Sequence, residues 1–160
     1  MDIETGLERV RALGGQDSWL AVLVTQRGSG EPAASLVNAG VLDHPVTGEP
    51  VVAFVARGRT TKLTNLRRNP KATLVFRAGW DWVGVTGPVE LVGPDDELAG
   101  VDAEALRQLL RDIYHAAGGE HSDLDEYDRA MAEDRRTAVL VRPEHFSSNP
   151  PGTDHKEEGE

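Results

Sequence analysis

The sequence predicts an α+β fold, mainly β, in which an antiparallel, barrel-like sheet of about six strands carries helices at its ends. Six apolar segments have the length of strands, and turns rich in glycine, proline and aspartate separate most of them. The regular alternation of strands and helices that a parallel doubly wound sheet requires is missing. The 160 residues suit one domain, which we expect to cover residues 1–150.

The first part of the chain is predicted to form one helix and three strands. Apolar residues recur every three or four positions over residues 2–13, and a pair of glycines ends this helix. Residues 18–26 are an apolar strand candidate that ends in a turn-rich segment, and residues 33–42 follow as its hairpin partner. A second turn leads into the strand 50–56.

The middle of the chain is predicted to add a helix and a second hairpin. Two leucines fall on one face of the helix 60–69, and an Asn-Pro pair ends it. The strands 72–77 and 82–92 follow, joined by a short turn at Ala78 and Gly79.

Two helices and a last strand complete the predicted domain. Residues 102–117 have a continuous apolar stripe, and Ser122 is the expected N-cap of a second helix that runs to about residue 134. Residues 137–141 form the last strand. Prolines and acids dominate from Asn149 onwards, so we expect residues 151–160 to be a disordered acidic tail.

Composition limits the classes of function. The chain has no cysteine, which excludes a thiol nucleophile and cysteine-ligated metal, and its five histidines show no metal-ligand spacing, so we expect no metal site. A net charge of −10 disfavours nucleic acid and anionic membranes as partners. Because no apolar run is long enough to span a bilayer and no signal peptide is evident, we expect a cytoplasmic protein.

Charge is unevenly distributed along the chain. Seven cations and no acid lie between Arg57 and Arg77, whereas thirteen acids and three arginines lie between Asp95 and Asp134. Two solvated faces of opposite sign would explain this pattern. The alternative is a site for a small anion on an otherwise acidic protein.

The segment from Arg59 to Asn65 is the strongest candidate for such a site. A helix that starts near Thr60 would present unpaired N–H groups beside the hydroxyls of Thr60 and Thr61 and the cations Arg59 and Lys62. Phosphate sites commonly combine these groups. The alternative is a capped surface helix with solvated basic residues.

Two tryptophans form a second candidate feature. Trp80 and Trp82 would project from one face of an extended segment, where they could form the wall of a pocket for a flat ligand or pack in a core or a dimer interface. The sequence contains no evident acid–base or covalent catalytic group. Enzymes that leave the chemistry to a bound cofactor need such groups least.

The motif RTTKLTNLRRNPKA at 59–72, with Gly79-Trp80 and Gly87-Pro88, resembles the split β-barrel flavoproteins related to pyridoxamine 5′-phosphate oxidase. The carboxyl-terminal run, which includes GEHSD at 119–123 and Asp134-Arg135-Arg136, is similar to the actinobacterial branch that uses coenzyme F420, a deazaflavin. The resemblance implies a six-stranded antiparallel split β-barrel of the FMN-binding type with flanking helices.

The same resemblance implies a homodimer with two cofactor sites at the subunit interface. Lys62, with Thr60, Thr61 and Arg59, would hold the cofactor phosphate, and Asn65 would fix that loop. Arg136 would approach the polyglutamate tail of F420 from the partner chain. The segments that would line or border the ring are Ser35, Leu36, Val37 and Asn38 on one strand, and Trp80, Trp82 and Val83 on another.

The function implied by the resemblance is hydride transfer from reduced F420 to an activated double bond of a small molecule. Two alternatives stay open: an FMN-dependent oxidase or reductase of the same fold, and a non-catalytic flavin- or haem-binding protein. Quinones, tetrapyrroles, unsaturated lactones and nitro compounds are all open as substrates.

Overall fold

The computed structural model describes residues 1–150, and the predicted acidic tail at 151–160 lies outside them. This part of the chain contains four helices and seven strands. The helices are α1 (Ile3–Gly14), α2 (Thr61–Arg68), α3 (Ala103–Ala116) and α4 (Leu124–Glu133). The strands are β1 (Leu20–Gln26), β2 (Pro32–Asp43), β3 (Pro50–Ala56), β4 (Lys71–Ala78), β5 (Asp81–Val92), β6 (Thr137–Val141) and β7 (His145–Ser148).

Six of the strands close into an antiparallel barrel. Their order is β4-β1-β2-β3-β6-β5, and pairing between β4 and β5 closes the ring. β7 pairs with the first part of β5, over Val83–Thr86. The α+β class and the six-stranded antiparallel barrel with flanking helices, predicted from the sequence, are confirmed.

Two long strands divide the barrel into two sheets. β2 pairs with β1 through its first seven residues and with β3 through its last five. β5 pairs with β4 up to Pro88 and with β6 from Val89 onwards. Each strand therefore passes from one sheet to the other, and the barrel is split between them.

The main hydrophobic core fills the barrel and extends under two helices. Phe54, Phe76 and Leu74 are fully buried inside it, and α1 and α2 cover it with residues such as Val10 and Leu63. Each fully buried side chain of this size contributes about 1.5–3 kcal/mol of transfer free energy. A second cluster joins α3 to the outside of β3 and β6.

The close contact between α3 and β2 depends on a glycine. A Cβ atom at Gly40 would lie 2.4 Å from the carbonyl carbon of Ala116, at the end of α3. Because no real Cβ tolerates this distance, only glycine lets the end of α3 rest on β2.

None of the helices in residues 1–150 is long and apolar enough to span a membrane.

Some local features differ from the sequence expectations. The seventh strand, β7, was not predicted because its four residues are mostly polar and depend on β5 for their pairing. The N-cap of α4 is Asp123, not Ser122, since its carboxylate accepts hydrogen bonds from the N–H groups of Asp125 and Glu126. Asn149, predicted to begin the tail, accepts a hydrogen bond from the N–H of Trp82.

Candidate functional site

A pocket of about 420 Å³ lies where β2, the end of β3, the start of α2 and the helices α3 and α4 meet. Its volume is in the range of small-molecule and cofactor sites. Its lining combines cations, aromatic rings and aliphatic groups: Leu36, Val37, Asn38, Val55, Ala56, Arg57, Thr60, Lys62, Ile113, Tyr114, Ala117, Tyr127, Met131 and Arg136.

The connection between β3 and α2 supplies donors for an anion. Thr60 is the N-cap of α2 and has extended backbone, but its hydroxyl donates to the carbonyl of Arg57 at 3.0 Å. The Thr60 side chain therefore makes no capping hydrogen bond. The first N–H groups of α2 have no acceptor from their N-cap side chain, and half-buried Lys62 lies in the same pocket.

A cluster of charged side chains lies at the rim of the pocket. The Oδ2 atom of Asp134 accepts from Nε and Nη2 of Arg136, at 3.3 and 3.1 Å. The same oxygen is 3.7 Å from Nη2 of Arg57. One carboxylate thus links two of the three cations that line the pocket.

Two tyrosines form an aromatic wall. The rings of Tyr114 and Tyr127 are 4.8 Å apart, with 38° between their planes. Their hydroxyls donate to the carbonyls of Glu120 and Leu110, at 2.9 and 3.0 Å. Burial raises the pKa of Tyr127 to about 12, so its phenol stays protonated. Since both hydroxyls are engaged by backbone carbonyls, the two tyrosines offer a ligand in the pocket mainly their aromatic rings.

Asn38 is fixed on the β2 side of the pocket. Its Nδ2 donates to the carbonyls of Ser18 at 2.9 Å and Ala117 at 3.1 Å. These acceptors fix the orientation of the amide, because only the nitrogen can donate to both. The neighbouring Leu36 lines the pocket while its side chain is 61% exposed.

Two further ion pairs connect the segment between β5 and α3 to neighbouring elements, one to Arg135 between α4 and β6 and one to α2. The guanidinium of Arg135 donates to Asp95 and holds the pKa of that carboxyl below its usual value. Arg67 of α2 makes two hydrogen bonds to Asp96. The cationic segment and the acidic segment of the sequence therefore meet here.

The structure brings six of the predicted site residues together. Leu36, Val37, Asn38, Thr60, Lys62 and Arg136 all line the one pocket. Arg136, which is expected to reach a cofactor site from the partner chain, here lines the pocket of its own chain.

The other predicted site residues do not line this pocket within one chain. Ser35, Arg59 and Thr61 are sequence neighbours of lining residues but do not themselves line the pocket. Asn65 is buried and donates to the hydroxyl of Thr25 at 3.3 Å. Val83 is buried in the barrel core.

The two tryptophans lie at the β4–β5 hairpin. Trp82 lies on the outer face of the sheet beside Val75 and Arg77. Trp80 is 80% exposed. The segment is not extended throughout, because Gly79 and Trp80 form the two-residue turn between the paired residues Ala78 and Asp81. Both tryptophans nevertheless line one surface depression, which is separate from the pocket at β2 and α2.

Sequence reasoning missed several lining residues. Arg57 follows directly after β3, and only its position before the α2 motif could have indicated a role. Tyr114 belongs to the apolar stripe of α3, and Tyr127 and Met131 lie four residues apart on α4, patterns typical of core packing. Their place in the pocket depends on how α4 folds back on α3.

The sequence profile of the family described as pyridoxamine 5′-phosphate oxidase matches residues 8–148. Among solved structures, a conserved hypothetical protein from Mycobacterium tuberculosis is 18% identical, with a TM-score of 0.64 over 92% of this chain and 84% of that one. An F420 reductase is 20% identical, with a TM-score of 0.57 over 86% of this chain and 94% of that one. A pyridoxamine 5′-phosphate oxidase-related, FMN-binding protein from Nostoc punctiforme is 15% identical, with a TM-score of 0.56 over 91% and 81% of the two chains. At these identities the structural likeness shows a shared fold.

Proposed function

The chain belongs to the pyridoxamine 5′-phosphate oxidase family, and we propose that it is an oxidoreductase that binds coenzyme F420 in the pocket between β2, α2, α3 and α4. The substrate is a small molecule with an activated double bond. The observation that carries the proposal is the uncapped start of α2, which shares one pocket with three cations and an aromatic wall.

The donor set suits a phosphorylated flavin-type cofactor. The first-turn N–H groups of α2 and the Lys62 ammonium can bind the phosphate, and the Thr60 hydroxyl joins them only after turning away from the carbonyl of Arg57. Arg57 and Arg136 can bind further anionic groups. Tyr114, Tyr127 and Leu36 offer apolar surface for a flat ring. Anion and ring subsites of one ligand are thus adjacent.

The reduced deazaflavin supplies the hydride when it is bound. The chain itself orients the reactants and excludes water through Val55, Ile113 and Met131. Because the hydroxyls of Tyr114 and Tyr127 both donate to backbone carbonyls, we expect the substrate to take its proton from solvent. The choice of F420 over FMN is supported by the carboxyl-terminal sequence run.

The outer face of β1, β2 and β4 supports the proposal that the protein is a homodimer. Val22 is 40% exposed and is directly paired with Leu36 on one side and Val75 on the other. A row of apolar side chains on an open sheet face favours burial against a second copy. Since Leu36 belongs to this row and to the pocket, the cofactor would lie next to the dimer interface.

The proposal is tested by fluorescence titration of ligand-free protein with F420 and, separately, with FMN. We expect F420 to bind with a Kd of about 1 μM or below, and FMN to bind more weakly. Tight FMN binding with weak F420 binding would assign the protein to the flavin-dependent alternative. If neither ligand binds, the proposal fails, and haem is the next ligand to titrate.

A further inference from the structure

The geometry points to Asp134 as a positioning residue that sets Arg57 and Arg136 for the anionic part of the ligand. This inference rests on the proposed function, since it concerns the same pocket. Asp134 does not line the pocket itself, but its carboxylate contacts both arginines that do. Without this shared acceptor, two guanidinium groups at one rim would repel each other and turn towards solvent.

The backbone around Asp134 is also tied to the connection between β3 and α2, which contains Arg57 to Thr60. The carbonyl of Asp134 accepts a hydrogen bond of 3.0 Å from the N–H of Gly58, which lies between Arg57 and Arg59. A Cβ atom at Gly58 would lie 2.8 Å from the carbonyl oxygen of Arg135. The two loops therefore interlock, and a shift of one moves the other.

Unusual backbone conformations mark both loops. Arg59 has φ 63° and Arg135 has φ 49°, in the left-handed region that non-glycine residues rarely adopt. The surrounding contacts must hold such residues in place. The ion pair between Arg135 and Asp95 and the hydrogen bond from Gly58 to Asp134 are two of these contacts.

The charges of this unit define the ligand class. Three cations line the pocket, and Asp134 compensates about one of them, which leaves an excess of about two positive charges. A matching ligand carries two negative charges in this region, either as one phosphate monoester or as a phosphodiester with a carboxylate. A neutral ring compound would contact the tyrosine rings of the pocket but would leave its cations without a negatively charged partner.

The test compares phosphorylated ligands with their phosphate-free cores. Wild type, Asp134→Asn and Asp134→Glu are titrated with FMN and riboflavin, and with F420 and its phosphate-free deazaflavin chromophore. We expect Asp134→Asn to weaken binding of the phosphorylated member of the pair that binds by about five- to tenfold and to leave the phosphate-free member unchanged. Asp134→Glu keeps the charge but moves it by one methylene, so we expect an intermediate loss with the same selectivity.

The matched control is Asp128→Asn. Asp128 lies on α4, the helix that Asp134 follows directly, and it also pairs with an arginine, Arg111, but neither Asp128 nor Arg111 lines the pocket. We expect its Kd ratio for phosphorylated and phosphate-free ligands to equal that of wild type. If Asp134→Asn does not fold, the selective loss in Asp134→Glu decides the question.

Three results would overturn the inference. Equal losses for both members of a pair would make Asp134 purely structural. Tighter binding of the phosphorylated member would show that the carboxylate competes with the ligand for the arginines. If wild type binds none of the four compounds, the proposed function falls, and the role of Asp134 falls with it.

Discussion

Removal of the Lys62 side chain tests the anion site most directly. Lys62 is the second residue of α2, is half-buried and lines the pocket. When the side chain is removed, water is therefore a poor replacement for the ammonium as a partner of the phosphate. A hydrogen bond to a charged partner contributes about 1.5–3 kcal/mol. We therefore expect Lys62→Ala to raise the Kd for the phosphorylated cofactor by about 10- to 150-fold.

The assay is the fluorescence titration with F420 or FMN, at low and at physiological ionic strength. Salt screening should shrink the difference between variant and wild type. Riboflavin and the phosphate-free deazaflavin should bind both proteins equally, because neither has a group for Lys62 to contact.

Lys71→Ala is the control for charge alone. Lys71 belongs to the same basic segment but is exposed at the start of β4 and does not line the pocket. If Lys71→Ala weakens cofactor binding as much as Lys62→Ala does, the effect comes from the general field of the basic segment. An unchanged affinity in folded Lys62→Ala would remove this residue from the site.

Three further predictions concern the wall, the interface and acid stability. Tyr127→Phe removes the hydrogen bond to Leu110, and we expect urea unfolding to show a loss of about 1 kcal/mol, with an unchanged stability arguing against that bond. Leu36→Asp places a charge on the apolar sheet face, so sedimentation should show monomers where wild type forms dimers; a persistent dimer would place the interface elsewhere. Arg111 lowers the pKa of Asp128, so this pair stabilises the fold above the ordinary value of 3.8 and loses its contribution as pH falls through the lowered pKa. The stability difference between wild type and Asp128→Asn should therefore be present at pH 7 and vanish in strong acid, and a difference that grows on acidification would contradict this sign.

The fold could be predicted from the sequence because the turn residues and the apolar patterns of the strands are those that an antiparallel barrel requires. Turn residues separate the apolar strands, and the sheet has one buried face along most of β1 and β4. The family relationship indicated by the motif around Lys62 is confirmed. The seventh strand carries no such signal, since Ser147 and Ser148 are polar and their strand pairing comes from β5.

The site could be predicted only in part because it combines distant segments. The segment from Arg57 to Lys62 is continuous in sequence, so Thr60 and Lys62 could be identified from residue types next to a helix start. Arg57 could not, because its neighbour Arg59 carries the same charge. Arg57 lines the pocket and Arg59, which has left-handed backbone, does not, a difference that residue spacing does not encode.

The segregation of charge along the sequence has a physical explanation in the fold. Arg67 pairs with Asp96 and Arg57 lies near Asp134, so part of the basic segment is compensated by the acidic one. Lys62 lies instead in the pocket beside the start of α2. A chain with a net charge of −10 repels an anion at long range, and salt limits that repulsion to about 8–10 Å. A small ligand with two negative charges can therefore be bound by a local cluster of cations, whereas a long polyanion would extend over the acidic surface and be repelled there.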